Sequence, residues 1–255
     1  MKPLEIKHRV IGGGEPLICV PVVEQDAQSV IREITYLSQS TADMIEWRVD
    51  AFRDFTDYNA IRSVFEAVAP LLGEKLFLYT FRTAHQGGMA QVKAEQLDDL
   101  HDLAAESGCV DLVDLEFFEE DRPLHKIKRL REMGVSVIAS HHDFEQTPSP
   151  EVMKMLLEKR CAGGADIVKL AVMPQNYKDV LNLLDVTAQF REENPDTPVI
   201  TMSMGSLGGI SRISGETFGS CVTFGAHEKP SAPGQFAMKE LRQMLDTIHA
   251  SSQIQ

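Results

Sequence analysis

The feature that most restricts the fold of this chain is an alternation, sustained along nearly its whole length, of short apolar runs with longer amphipathic segments. The runs fall at 17–22, 44–49, 76–81, 112–116, 135–140, 167–171, 199–204 and 222–225, and amphipathic patterns at 27–38, 59–71, 91–106, 123–133, 149–162 and 177–193 lie between them. A shorter helical stretch at 215–219 precedes the last run, and a final one covers 235–250. Short runs without polar alternation suit parallel strands covered on both faces. Eight such strand-and-helix units, with no Ser/Gly-rich linker between them, predict one α/β domain over 1–255, a (β/α)8 TIM barrel. An open, doubly wound sheet is the alternative. Residues 1–15 are expected to form a short N-terminal hairpin and 251–255 a flexible tail. The run Ile11-Gly-Gly-Gly-Glu-Pro16 lacks both the G-x-G-x-x-G spacing and the following helix of a phosphate loop, so it is assigned to the hairpin turn.

A barrel places its active groups at the carboxyl ends of its strands and in the loops beyond them. That rule selects Glu46 and Arg48 after the second run, Arg82 after the third, and His141, His142 and Asp143 after the fifth. The sixth contributes Lys169, the seventh Met202 and Met204, and the loop beyond it Ser211 and Arg212. Glu46 and Arg48, two residues apart, share one face with Trp47 on the other. They also fit a structural ion pair at the barrel mouth, and His142 fits a hydrogen-bonded structural residue.

Lys169 is the odd residue of Ala165-Asp-Ile-Val-Lys-Leu-Ala-Val172. An unpaired ammonium is costly to bury, so such a lysine tends to shed its proton, and the neutral amine can attack a carbonyl to form a Schiff base. Read alone, the same residue fits a lysine that snorkels from a strand end or pairs with a nearby carboxylate.

Charge narrows the partners. Twenty-five Lys and Arg against 38 Asp and Glu give a net charge of -13, which disfavours nucleic acid and anionic membrane surfaces. No run approaches the roughly 18 apolar residues of a membrane span. The charged N-terminus lacks the apolar centre of a signal peptide. Cys19, Cys109, Cys161 and Cys221 show neither C-x-x-C nor a His-linked metal spacing, consistent with free thiols in a cytoplasmic protein and with no metal site. Three arginines, a lysine and a histidine pair on one rim of an acidic protein favour a small, oxygen-rich anionic substrate.

The strings Glu46-Trp-Arg48-Val-Asp50, Phe81-Arg82-Thr, Ser140-His-His142-Asp-Phe144, Ile167-Val-Lys169, Thr201-Met-Ser-Met-Gly205 with Ile210-Ser-Arg212, and Ser231-Ala-Pro-Gly-Gln235 occur in this order across the chain. In them the sequence resembles type I 3-dehydroquinate dehydratase. The resemblance implies a (β/α)8 barrel, usually a homodimer, that converts 3-dehydroquinate to 3-dehydroshikimate in the shikimate pathway with no metal and no dissociable cofactor. It assigns the Schiff base to Lys169, general acid/base work to His142, and the substrate carboxylate to Arg212. It implies that Glu46, Arg48 and Arg82 meet the ring hydroxyls, and that Ser231 and Gln235 arrive on a lid loop. A class I aldolase or transaldolase would share the lysine but has no need of the Ser-His-His-Asp-Phe and Ser-Ala-Pro-Gly-Gln strings together.

One position departs from the family pattern. Where the family usually carries a Glu after Phe-Arg, this chain has His85-Gln86-Gly-Gly88. Gln86 can orient the catalytic imidazole but supplies no charge, so weaker proton shuttling is expected. On that residue alone rests a second alternative, a barrel that binds the same ligand with little turnover.

Overall fold

The structure is a computed structural model that describes residues 4–117 and 123–253. Its centre is an eight-stranded parallel sheet whose strands pair in chain order, with the last beside the first. The strands are β3 (Leu17–Val22), β4 (Met44–Arg48), β5 (Leu76–Thr80), β6 (Leu112–Glu116), β7 (Ser136–Asp143), β8 (Ile167–Val172), β9 (Val199–Ser203) and β10 (Val222–Phe224). The ring closes where the Cys221 N–H donates to the Val199 carbonyl at 2.8 Å and the Ser220 hydroxyl accepts from the Thr201 N–H at 3.0 Å. The TIM barrel predicted from the alternation is the fold observed.

Strand parity divides the core in two. Outward residues such as Val20, Trp47, Tyr79, Val113, Val137 and Leu170 pack under the helices. Those helices are α1 (Ala27–Ser38), α2 (Tyr58–Val68), α3 (Ala94–Glu106), α4 (Leu124–Glu132), α5 (Pro150–Ala162), α6 (Tyr177–Glu193), α7 (Gly209–Ile213), α8 (Gly215–Phe218) and α9 (Met238–Ser252). Several begin on side-chain caps: Asp26 accepts from Ser29 N, Asp57 from Asn59 N and Ala60 N, and Asn176 with Asp179 forms a capping box on α6.

Inward residues fill the barrel in layers. Met44, Leu76, Leu78, Leu112, Ile138, Ile167 and Ile200 make its lower part apolar, together with Ile11 from the N-terminal hairpin. Two residues further along the same strands the inward positions become Glu46, Thr80, Asp114, Ser140 and Lys169. The change from oil to charge within one strand repeat sets the height of the site.

The hairpin, β1 (Leu4–Ile6) and β2 (Arg9–Ile11), turns at Lys7 and His8 rather than in the glycine run. Both residues adopt positive φ, 47° and 64°, so a tight two-residue turn forms without glycine. The glycines instead lead the chain from the hairpin into β3. α9 runs to Ser252, and residues 1–3 of the expected hairpin and 254–255 of the expected tail lie outside the described residues. Two further differences bear on function. β7 extends to Asp143, which carries His142 inside the sheet, and α7, not anticipated from the sequence, carries Arg212. Cys19 and Cys221 are free and buried, as expected of core thiols.

Candidate active site

At the carboxyl end of the barrel lies a small, partly enclosed cavity. Its wall includes all nine candidate residues: Glu46, Arg48, Arg82, Gln86, His142, Lys169, Arg212, Ser231 and Gln235. Met202 and Met204 line it as well, with Phe224. Residues separated by up to 189 positions are gathered because each sits at or just past the top of an inward-facing strand position or in the loops above.

Around Lys169 the charges are paired. Its Nζ lies 2.9 Å from Asp114 Oδ2 and 4.4 Å from the centre of the Phe224 ring. Of the readings open for Lys169, the structure shows pairing with a carboxylate, which β6 delivers from two strands away. Arg82 takes the other oxygen of Asp114 at 2.8 Å and reaches Glu116 and Ser140, both at 3.0 Å. Ser140 donates to Asp114 at 2.6 Å. Burial by itself would raise the Asp114 carboxyl, but Arg82 and Lys169 outweigh it and hold the group well below the usual carboxylate range. Arg48 is likewise engaged, with Nε and Nη2 each 2.8 Å from Asp50. Glu46 accepts from the Thr80 hydroxyl at 2.7 Å.

His142 stands on β7 two residues beyond Ser140, the register partner of Lys169. Gln86 Oε1 accepts its backbone N–H at 2.8 Å and lies 3.0 Å from its Nδ1. Since a backbone N–H can only donate, the oxygen end of the amide is the end facing His142. Nδ1 therefore carries the proton, and Nε2 is left with its lone pair. Burial first, then the neighbouring Arg82 and Lys169 cations, push the imidazole well below its ordinary pKa, so the ring is neutral. Gln86 is not on an exposed loop. It ends a short 3-10 turn, Ala84–Gln86, and is buried. The turn closes on Gly87, whose φ is +81° and where an added Cβ would meet Phe144 at 2.4 Å.

At the opposite end Arg212 presents the contrary arrangement. Its side chain is buried, and Nη2 donates to the Pro233 carbonyl at 2.9 Å, while Nε and Nη1 have no partner. Burial alone lowers its pKa to about 10, which leaves it charged at neutral pH. Pro233 belongs to the loop 228–236, which also folds on itself: Gln235 accepts from Ser231 N at 2.7 Å and donates to the Ser231 hydroxyl at 3.0 Å. That loop rests against the one after β9, where Gly205 N donates to Pro233 O at 3.1 Å. Gly234, at φ +77°, passes so close that a Cβ there would lie 2.3 Å from the Gly205 carbonyl.

Sequence reasoning missed Asp114, Glu116, Ser140 and Asp50, which hold Lys169, Arg82 and Arg48 in place. A signal was present in Leu112-Val-Asp-Leu-Glu116: two carboxylates of equal parity inside a predicted strand, as for Glu46 and Arg48. Among the described residues no group of three or more His, Cys, Asp and Glu side chains is disposed to hold a metal ion. Among the same residues no helix is long and apolar enough to cross a membrane.

Comparison with known proteins points one way. The sequence model of the family described as Type I 3-dehydroquinase matches residues 18–252. A 3-dehydroquinate dehydratase of Syntrophotalea carbinolica is 41% identical over 250 residues, 98% of this chain and 99% of that protein. One from Listeria welshimeri is equally similar, 41% identical over the same shares. Among solved structures, a type I 3-dehydroquinate dehydratase of Clostridium difficile superposes with a TM-score of 0.94 at 38% identity, covering 98% of this chain and 99% of that one. The enzyme from Geobacillus kaustophilus gives a TM-score of 0.94 at 35% identity over 98% and 97%.

Proposed function

The chain belongs to the type I 3-dehydroquinase family, lyases that dehydrate 3-dehydroquinate in the shikimate pathway, and from that premise we propose how its own residues carry out the step. The observation that carries the reading is the pairing, in one cavity, of a buried lysine beside a neutral histidine with a distant arginine that lacks an anionic partner.

In this reading Arg212 receives the substrate carboxylate, to which a planar guanidinium can donate two parallel hydrogen bonds. That contact directs the C3 ketone toward Lys169. Glu46, Arg48 and Arg82 face the ring hydroxyls, and Ser231 and Gln235 close over them. Lys169 passes a proton to His142 and its amine adds to C3; the imidazolium returns that proton to the carbinolamine hydroxyl, which leaves as water and gives an iminium whose positive charge acidifies the neighbouring C2 proton. His142 Nε2 removes that proton, leaving an enamine. The enamine expels the C1 hydroxyl, to which the imidazolium returns a proton so that it departs as water. Hydrolysis of the imine releases 3-dehydroshikimate and restores the amine. The two carboxylates near Lys169 and Arg82 hold these cations in register, and Asp114 stays ionised throughout because it is bound on both oxygens.

No metal or dissociable cofactor enters this scheme, and the family resemblance supports a cytoplasmic homodimer built from a single barrel domain. Gln86 keeps the imidazole in its working tautomer but adds no negative charge, which limits proton shuttling relative to a glutamate. Borohydride treatment with 3-dehydroquinate, followed by intact-mass analysis and peptide mapping, tests the scheme. A reduced adduct on the Lys169 peptide, with ultraviolet absorbance from the conjugated enone product in untreated enzyme, is the expected result. Turnover without any trapped adduct would overturn the covalent route, and an adduct without enone formation would point to the aldolase-like alternative.

A further inference from the structure

Gln86 uses only half of its carboxamide on the protein. Its oxygen accepts both donors of His142, at 2.8 and 3.0 Å, and the backbone N–H among them fixes which end is which. Its nitrogen is therefore the free end. Gln86 Nε2 is buried and has no acceptor, although the residue forms part of the cavity wall. A donor sealed from solvent without an acceptor is uncommon in a native structure and calls for an explanation. Here the residue is held by its oxygen end and by the 3-10 turn that closes on Gly87, at the cavity wall beside Phe144, so Nε2 is the end left to meet a ligand that settles into that wall.

We propose that Gln86 is also a substrate-binding residue, its Nε2 donating a hydrogen bond to an oxygen of the bound ligand; this rests on reading the cavity as the 3-dehydroquinate site. A ring bearing hydroxyls and a carboxylate supplies acceptors on every side. A carboxylate at the same place could accept from His142 in the same way, but it would turn a second acceptor toward the ligand oxygens. The amide thus serves two partners with opposite needs, an acceptor for the imidazole and a donor for the substrate.

The test uses quinate, which lacks the C3 ketone and so reports binding without the covalent step. Titration of the full-length enzyme by calorimetry is compared with Gln86→Glu, which keeps the shape and the acceptor, and with Gln86→Met, which removes the donor without adding charge. Both variants are expected to bind quinate about tenfold more weakly, the weight of one hydrogen bond to a ligand. In steady-state turnover Gln86→Glu is expected to raise KM by a similar factor without lowering kcat, a split that a merely structural role would not produce. Imidazole nitrogen NMR of Gln86→Glu should still show the proton on Nδ1. Unchanged quinate affinity in either variant overturns the proposal. Borohydride trapping on Lys169 is run beside it: a trapped adduct with unchanged quinate affinity removes only the Gln86 contact, whereas failure to trap in the parent enzyme removes the covalent route itself.

Discussion

Lys169 and Arg212 are buried cations on the wall of one cavity, yet their surroundings are opposite. Lys169 and Arg82 stand against Asp114 and Glu116, two positive groups against two negative ones, with the remaining lone pairs taken by Ser140 and Thr83. Arg212 has a single backbone carbonyl, and two of its nitrogens go unmatched. Burying an uncompensated charge costs stability, whereas a balanced cluster with its hydrogen bonds made roughly offsets its own desolvation. The contrast indicates where the ligand must complete the protein. The lysine corner is already whole and needs only a reactive carbonyl, while the arginine corner lacks an anion.

The largest effect expected from this division is on turnover. His142→Ala should lose about 10² to 10⁴ in kcat, the range for a positioned acid/base, and Lys169→Ala should lose more than that because no other group can form the imine. Quinate titrations should still find the anion-binding end in Lys169→Ala. If that variant kept most of its kcat, the two ends of the cavity would have been assigned the wrong roles.

Next comes stability. Removing one member of the balanced cluster leaves its partners charged and buried, so Asp114→Ala should destabilise the fold by about 3–5 kcal/mol in urea denaturation. The arginine end should answer differently. Arg212→Met removes a charge that has no partner, and the free enzyme should be no less stable than the parent, while kcat/KM falls by about 2–5 kcal/mol in transition-state terms. Equal destabilisation by the two variants would erase the distinction between them.

The two corners were also unequally legible in the sequence. The barrel could be read because eight short apolar runs alternate with longer amphipathic segments along nearly the whole chain. Lys169 was visible as the one charged residue inside its apolar run, and His142 and Arg212 as polar residues just beyond one. What could not be read was the pairing across the barrel. Asp114 meets Lys169 from two strands away, 55 residues earlier in the chain, and only barrel closure sets both at one height. The hairpin turn was misplaced for a related reason. Glycine content marks where a tight turn is easy, but register with Leu4 facing Ile11 puts the turn at Lys7 and His8. The short α7 escaped notice because five residues give no helical period to detect.

The smallest expected effect is a shift along the pH axis, and it probes the influence of the lysine corner on its neighbour. Burial, Arg82 and Lys169 all disfavour a proton on His142, so its pKa in the folded enzyme lies below the ordinary value of about 6.5. The neutral ring is the base, and protonation removes it as pH falls. The acid limb of kcat/KM should therefore lie below about pH 6.5 rather than at it. The same depression links to stability. As pH drops below about 6.5 the unfolded chain takes up the proton before the folded one does, so the stability contribution present above that pH is lost on acidification. Gln86→Glu would place a carboxylate beside Nδ1, where Oε1 now lies 3.0 Å away, and should move the acid limb upward by on the order of one unit. An acid limb already at or above 6.5 in the parent enzyme, unmoved by that substitution, would mean that Arg82 and Lys169 are so fully neutralised by Asp114 and Glu116 that their charge never reaches the imidazole.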